Sequence, residues 1–323
     1  MSVLPPDEGR APLRVVALGG GHGLAANLAA LRHVVQDLTA VVTVADNGGS
    51  SGRLRREFGA LPPGDLRMAL AALCGDDEWG QTWARVLQHR FTSAGPMDQH
   101  AVGNLLIVAL WELLGEHVDG LDWVGRLLGA QGRVLPMSVT PLDLTATVAG
   151  VDPAQPHALT TVRGQVAVAS TTGRVLAVHL DPDDPPACPQ ALSAVEAADW
   201  VVLGPGSWFT SVLPNLLVPE LRDALVASPA RKVVTLNLEP QTGETDGFSP
   251  ENHLDVLVSH APDLKVDVVL VDGHTVDDER QLRCAAAALG AELVVADVAV
   301  DDGTPRHDPV KLANAYTGLM IRA

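Results

Sequence analysis

The sequence has few aromatic side chains and few lysines. Its 323 residues include one tyrosine and four phenylalanines, so few rings are available to stack on a flat ligand. The only lysines are Lys232, Lys265 and Lys311, and contacts to a phosphate would therefore fall to arginine, which suits bidentate recognition. The formal net charge of −17 argues against nucleic acid or an anionic membrane surface as a partner. It does not exclude a small anion held by local loop groups.

Cysteine and long hydrophobic runs are scarce as well. Cys74, Cys188 and Cys284 are widely separated, which disfavours a disulfide framework or a zinc site and indicates a reducing compartment. Glycine or a charged residue interrupts each apolar run before it could span a bilayer. Residues 1–12 lack the basic-then-apolar pattern of a signal peptide and are predicted to be a disordered leader. We therefore expect a cytoplasmic protein without membrane insertion.

The most informative stretch, residues 13–67, contains two glycine-rich loops that follow predicted strands. An apolar run ends at Leu18 and is followed by Gly19, Gly20 and Gly21, which is typical of a strand that enters a tight turn. Leucines then recur at helical spacing, so these glycines should lie at a helix N-terminus, where free N–H groups favour an anion. The second loop, residues 46–53, adds hydroxyls, a carboxylate and a guanidinium. Because loops after consecutive parallel strands meet at one sheet edge, the stretch predicts a site for a phosphorylated ligand.

The rest of the chain predicts a single α/β domain over residues 13–323. Residues 62–130 are mostly helical in pattern, and α/β alternation resumes over residues 190–323 after a proline-rich linker. We predict a Rossmann-like, doubly wound, mostly parallel sheet with a helical insertion and a small antiparallel β section over residues 133–180. The short strands expected in and around that section are 134–139, 145–148, 160–168 and 174–180.

One short motif leaves an oxidoreductase open as an interpretation. Residues 21–26 read G-H-G-L-A-A and fit the dinucleotide fingerprint, with Asp46 roughly where a ribose-binding acid would lie. An NAD-binding oxidoreductase would have no need of the loop after Asp46, and no catalytic acid or base can be placed. A plain tight turn between strand and helix is the structural alternative. The sequence contains no G-x-x-x-x-G-K-[ST], which excludes a P-loop NTPase.

Seven segments, spread over residues 13–315, together resemble a known family. They are GGGHGL, ADNGGSSGRLR, PPGDLR, AVGNLL, GPGSWFTSVLPNLL, QTGETDG and RHDPVKL, in this order. The combination resembles the gluconeogenesis factor family of the CofD superfamily. The enzymatic branch of that superfamily transfers a phospholactyl group from an activated nucleotide to a deazaflavin (2-phospho-L-lactate transferase). Its bacterial branch is implicated in cell shape and in growth on gluconeogenic carbon sources, and its members bind UDP-sugars such as UDP-N-acetylglucosamine.

The resemblance implies a binding site residue by residue. The glycines after the first strand would cradle a diphosphate, while Asp46 and Asp65 match carboxylates that hold a divalent metal, which makes Mg²⁺ the cofactor to test. His22 stands where many members have Thr, and a neutral imidazole donor is expected there because the helix dipole disfavours the charged form. The nucleotide-sugar site implied in this way comprises Gly20, Gly21, His22, Gly23, Leu24, Asp46, Asn47, Gly49, Ser50, Arg53, Asn104, Gly204, Gly206, Ser207 and Arg306.

Simpler roles stay open for the two carboxylates. Asp46 could cap a turn through Asn47 and Gly48, and Asp65 could be the N-cap of a helix that starts at Leu66.

Two functions follow from the resemblance. A UDP-sugar-binding regulatory protein, non-catalytic or only weakly catalytic, is favoured over a metal-dependent transferase, because QTGETDG and RHDPVKL resemble the regulatory branch and few aromatics could stack on a deazaflavin. The ligand would be a small-molecule nucleotide-sugar. A homodimer packed through the helical insertion and an unidentified regulatory protein are left open as further partners.

Overall fold

The computed structural model describes residues 11–241 and 243–321. Most of the predicted disordered leader, residues 1–10, lies outside the described residues. The strands in the described part are β1 (Arg14–Gly19), β2 (Asp37–Val42), β3 (Arg133–Pro136), β4 (Asp143–Ala149), β5 (Leu159–Arg163), β6 (Arg174–Asp181), β7 (Trp200–Leu203), β8 (Arg231–Thr235), β9 (Val268–Asp272) and β10 (Glu292–Ala296). The α-helices are α1 (Gly21–Leu31), α2 (Gly49–Phe58), α3 (Gly64–Ala72), α4 (Glu78–Gln88), α5 (Val102–Leu114), α6 (His117–Leu128), α7 (Gln165–Ala169), α8 (Pro189–Ala197), α9 (Pro219–Ala227), α10 (Pro250–His260), α11 (Glu279–Ala288) and α12 (Pro309–Met320).

A parallel sheet forms the centre of the molecule. Its strand order is β10-β9-β8-β7-β1-β2-β3, and the pairs on both sides of β1 run parallel. Val15 to Leu18 in β1 and all of β9 are buried, since helices cover both faces of a doubly wound sheet and leave its inner strands apolar throughout. The predicted Rossmann-like α/β fold is therefore confirmed.

The connection between β2 and β3 is helical. Helices α2 to α6 fill it, and α3 to α6 correspond to the segment predicted as a helical insertion. Leu66, Leu70 and Leu73 are buried, as their helical spacing predicts. Because β2 and β3 are parallel neighbours, this block is the crossover between them.

Two strand predictions need correction. The segment predicted as an antiparallel strand over 134–139 is instead β3, which pairs in parallel with β2, because a short apolar run does not reveal the direction of its partner. The strand predicted over 160–168 ends at Arg163, where Gly164 has φ +94° and α7 begins. Strands β5, β4 and β6 form the small antiparallel sheet, in that order. No helix in the described ranges is long and apolar enough to cross a bilayer.

Candidate functional site

The sheet has its topological switch point at β1. This strand lies between β2 and β7, so the connections leaving β1 and β7 diverge to opposite sides and open a crevice at the carboxyl edge, which is where ligands bind in such sheets. Two glycine-rich turns border the crevice. We call Gly19–Gly21 the β1 turn and Gly204–Ser207 the β7 turn.

Two glycines at the start of α1 have different tasks. A Cβ on Gly23 would meet the carbonyl oxygen of Pro205 and would lie 2.5 Å from the Cα of Gly206, so glycine is required there for α1 to pack on the β7 turn. Gly21 has φ +59°, and apart from its chain neighbours and the backbone of its own helix no described atom lies within 4 Å of its Cβ position. The predicted phosphate-binding glycines thus divide into one that serves packing and one that faces open space.

Helix α1 begins at this open face without a capping side chain. Gly20 is its N-cap, and within the described part of the chain no side chain accepts a hydrogen bond from the first-turn N–H groups in a capping position. His22 is exposed beside it, and Leu24 is buried in the core. The N–H groups of this first turn and the helix dipole make this end of α1 favourable for an anion.

Asp65 lies directly beside the β1 turn. A Cβ on Gly20 would be 2.6 Å from Asp65 Oδ2, so this glycine lets the carboxyl approach the backbone. The Oδ2 atom is sealed from solvent and has no hydrogen-bond partner among the described residues. Burial, followed by repulsion from the nearby Asp46 carboxylate, raises the pKa of Asp65 from 3.8 to about 7, against smaller opposing effects of the Gly21 N–H and Arg67.

The proposed capping roles of the two carboxylates come out differently. Helix α3 begins at Gly64 with Pro63 as its N-cap, so Asp65 lies within the first turn and is not the N-cap. Asp46 does close a turn, because its Oδ1 accepts the N–H of Gly48 at 2.7 Å. Its Oδ2 lies 3.0 Å from the Cβ position of Gly64, which brings the second carboxylate oxygen to the same rim as Asp65.

Asn47 binds another part of the chain. Its Oδ1 accepts the N–H of Val166 at 3.2 Å, and its Nδ2 occupies the space that a side chain at Gly164 would need. The predicted ligand residue therefore holds the start of α7. Gly49, which follows with φ +45°, has no described atom outside the local backbone of α2 within 4 Å of its Cβ position and is open at the start of that helix.

Ser50 and Asn104 bind each other at the junction of α2 and α5. Ser50 Oγ accepts from Asn104 Nδ2 at 3.1 Å and from the N–H of Ala101 at 3.3 Å. Its own proton is then directed to His100 Nδ1, 3.0 Å away, which makes that nitrogen an acceptor in a neutral ring. Burial lowers the pKa of His100, in keeping with this neutral form.

The two predicted arginines also have partners within the chain. The Arg53 guanidinium donates to the carbonyl oxygens of Pro96 and Asp98, at 3.1 and 2.6 Å. Arg306 lies in the connection after the outermost strand β10 and donates to Asp302 Oδ2 at 2.6 Å, with its side chain 68% exposed. The adjacent His307 is turned inward, and burial lowers its pKa to about 4.

The β7 turn is held by residues that the sequence-based prediction did not include. Asn237, just past β8, accepts the Gly206 N–H at 2.9 Å and donates to the Gly206 carbonyl at 2.8 Å. Asn27 of α1 donates to the Gly204 carbonyl at 2.8 Å. The Ser207 hydroxyl donates to Glu244. The position of Asn237 directly after a strand that ends at the same edge was the sequence signal for its role.

Helix α7 of the small sheet reaches three loops at this edge. Gln165 Nε2 donates to the Thr210 carbonyl at 3.1 Å, and Val166, 53% exposed, contacts Gly48. A Cβ on Gly243 would lie 2.5 Å from the Ala169 carbonyl oxygen. The antiparallel sheet is thus tied to the loops after β2, β7 and β8.

A metal at this edge would depend on two carboxylates. No group of three His, Cys, Asp or Glu side chains suitable for a metal occurs in residues 11–241 and 243–321. Asp46 and Asp65 nevertheless suit Mg²⁺, which usually keeps several waters and is held by one or two carboxylates together with the substrate phosphates. The unpartnered Oδ2 of Asp65 is an oxygen that such an ion would satisfy.

Comparison with known proteins identifies the family. The sequence model of the family described as 2-phospho-L-lactate transferase CofD matches residues 15–308. The putative gluconeogenesis factor of Mycobacterium tuberculosis is 53% identical over 311 residues, which cover 95% of this chain and 90% of the relative. The gluconeogenesis factor of Listeria monocytogenes is 36% identical over 318 residues, which cover 95% of both. A UPF0052 family protein from Bacillus halodurans, known from a crystal structure, is 33% identical with a TM-score of 0.83 and covers 95% of this chain and 99% of that one. The chain therefore belongs to the CofD family, among the gluconeogenesis factors.

Proposed function

We propose that the chain is a regulatory protein that binds a UDP-sugar, of the UDP-N-acetylglucosamine type, in the crevice between the β1 and β7 turns. Through an unidentified protein partner, it would regulate cell shape and growth on gluconeogenic carbon sources. The observation that carries the proposal is the open face of Gly21 at the uncapped start of α1, at the switch point of the sheet.

The charges around that face define how a diphosphate would be held. Asp46 and Asp65 lie beside the β1 turn, and two carboxylates repel a diphosphate unless something neutralises them. Asp46 and Asp65 could together hold a Mg²⁺ ion, whose charge would offset their repulsion of the phosphates. We therefore expect binding to be stronger with Mg²⁺ than after chelation.

A transferase is the second candidate, and the state of Asp65 favours it. Without a bound metal, the Asp65 carboxyl with its pKa of about 7 exchanges its proton near neutral pH, which is the property of a general acid or base, whereas a Mg²⁺ ion on the same carboxyl would keep it ionised. Transfer of a group from a nucleotide-activated donor would use this carboxyl beside the phosphates. Nothing comparable favours an oxidoreductase, so NAD serves as a comparison ligand.

The test is calorimetric titration with UDP-N-acetylglucosamine, UDP-glucose, GDP and NAD, each with and without Mg²⁺. Saturable binding of a UDP-sugar is the expected result. Tight binding of GDP alone, and only with Mg²⁺, would replace the proposal with the transferase, to be assayed with a deazaflavin acceptor. Binding of NAD in preference to the others would contradict both.

A matched pair of variants places the phosphates. Gly21→Asp and Gly21→Asn have similar shapes, and both tolerate positive φ, but only Asp adds a negative charge. We expect the Asp variant to bind a UDP-sugar about tenfold more weakly than the Asn variant. Gly290 has φ +81° and an equally open Cβ position relative to the described atoms, and the same pair of substitutions there should leave the affinities equal. If the Gly21→Asp and Gly21→Asn variants bound the UDP-sugar with equal affinity, the phosphates would not lie at this face.

A further inference from the structure

A buried carboxylate from a distant loop lies against the start of the segment that follows β7. Three donors converge there, the hydroxyls of Ser207 and Thr210 and the N–H of Phe209. The segment begins with a single turn of π-helix over Trp208–Val212, a conformation that is rare and frequently found at functional sites. The sequence motif GPGSWFT supplies all three donors.

Glu244 accepts all three hydrogen bonds. Its Oε1 lies 2.5 Å from Ser207 Oγ and 2.7 Å from Thr210 Oγ1, and its Oε2 lies 3.2 Å from the Phe209 nitrogen. The residue is 5% exposed and has no ion pair with any described residue. A buried carboxylate without a cation depends on its hydrogen-bond donors, so Glu244 and the start of this segment fix each other.

The β7 turn lies between this carboxylate and α1. Ser207 follows Gly206, whose Cβ position is 3.6 Å from the Gly20 carbonyl oxygen and 3.8 Å from the Cα of Gly23. The side-chain amide of Asn237 binds Gly206 twice, since its Oδ1 accepts the Gly206 N–H and its Nδ2 donates to the Gly206 carbonyl oxygen. The turn is therefore fastened at Gly206 by Asn237 and at Ser207 by Glu244.

We propose that Glu244 is a positioning residue for the ligand crevice. It holds the β7 turn against the first turn of α1, so that the wall facing Gly21 is already formed before a ligand arrives. The role rests on the proposed function for the identity of the ligand, and the contacts of Glu244 do not depend on it. A wall that must be ordered during binding costs free energy that a preformed wall does not.

The test compares Glu244→Gln with a matched buried carboxylate. Gln keeps the shape but turns an amide donor toward the Phe209 N–H or toward the hydroxyls. The control is Asp272→Asn, because Asp272 is 2% exposed and accepts from the N–H groups of Val298 and Ala299 at the end of β9, two strands from β7. Both variants should lower Tm. Only Glu244→Gln should weaken UDP-N-acetylglucosamine binding, by about tenfold, and speed hydrogen exchange in residues 208–212.

Each alternative outcome leads to a definite conclusion. Faster exchange at 208–212 with unchanged affinity would overturn the inference and leave the proposed function intact. Tighter binding by Glu244→Gln would also overturn it, because the carboxylate would then compete with the ligand. Failure of the unmodified protein to bind any UDP-sugar would overturn the proposed function and the ligand role together. If Glu244→Gln does not fold, Thr210→Val removes one of the three hydrogen bonds with little change of shape, and should weaken binding about threefold.

Discussion

The two glycine-rich turns that border the crevice look alike in sequence but differ in their surroundings. Each follows a buried apolar strand, and each has a glycine with positive φ, +59° at Gly21 and +72° at Gly204. A Cβ on Gly204 would lie 2.8 Å from the Thr235 carbonyl oxygen, whereas no described atom outside the local backbone of α1 is within 4 Å of the Cβ position of Gly21. At the β7 turn, the glycine with positive φ packs tightly against a neighbouring strand. At the β1 turn, the glycine with positive φ faces open space.

Their carboxylates differ in the same way. Glu244 at the β7 turn accepts three hydrogen bonds, while Asp65 Oδ2 at the β1 turn has none from the described residues. A saturated carboxylate holds structure, and an unsatisfied one beside an open backbone is available to a cation, a proton or a ligand. The comparison indicates that the β1 turn contacts the ligand and that the β7 turn holds the crevice in shape.

The largest effect should come from adding a methyl group at Gly23. Gly23→Ala would force a Cβ against the backbone of Pro205 and Gly206, and we expect a loss of about 3 kcal/mol in the free energy of unfolding. Gly21→Ala meets no such contact and should lose only about 1 kcal/mol, from its positive φ. Urea denaturation of both variants measures the difference. If both variants lost the same free energy of unfolding, the β7 turn would be able to move away from the added methyl group and would not be rigid.

The next effect concerns Asp65 and pH. Its folded-state pKa of about 7 lies above the ordinary 3.8, so protonation contributes stability that is fully present below pH 4 and is lost as the pH rises through 7. Asp65→Asn removes this dependence. We expect the variant to be more stable than the unmodified chain at pH 8 and similar to it at pH 4. Urea denaturation at the two pH values tests this, and a difference that does not change with pH would contradict the raised pKa.

Parts of this comparison could be predicted from the sequence. The apolar run before Gly19 and the leucine spacing of α1 are local patterns, and both elements form where those patterns place them. The rule that loops after neighbouring parallel strands meet at one edge predicted the closeness of the loops after β1 and β2, whereas the β7 turn was added to the site only by the family resemblance. The resemblance to the gluconeogenesis factors added Asp65, whose local pattern suggests only a helix start.

The direction of individual side chains could not be predicted. Asn47 sits in a loop typical of ligand binding, yet its amide holds Val166, which is 119 residues away in sequence. Ser50 and Arg53 likewise bind the segment before α5. Such pairings depend on the crossover and the small sheet folding onto this edge, and no local pattern encodes them.

Asn237 allows a smaller effect to be measured at the β7 turn. Asn237→Ala removes both hydrogen bonds to Gly206, and at about 1 kcal/mol each the free energy of unfolding should fall by about 2 kcal/mol. Hydrogen exchange should quicken at Gly206 while the amides of β1 stay protected. Equal loosening of both turns would show that they act as one unit and would weaken the distinction between them.

The smallest effect on stability is expected at Arg306. Its ion pair with Asp302 is largely exposed, and such pairs contribute little, so Arg306→Ala should change the free energy of unfolding by less than about 0.5 kcal/mol. Asp302→Asn, which releases the guanidinium, is the matched variant. If Arg306 leaves Asp302 to meet a UDP-sugar, Arg306→Ala should weaken binding and Asp302→Asn should strengthen it. Unchanged affinity in both variants would place Arg306 outside the site and leave the β1 turn as the main source of phosphate contacts.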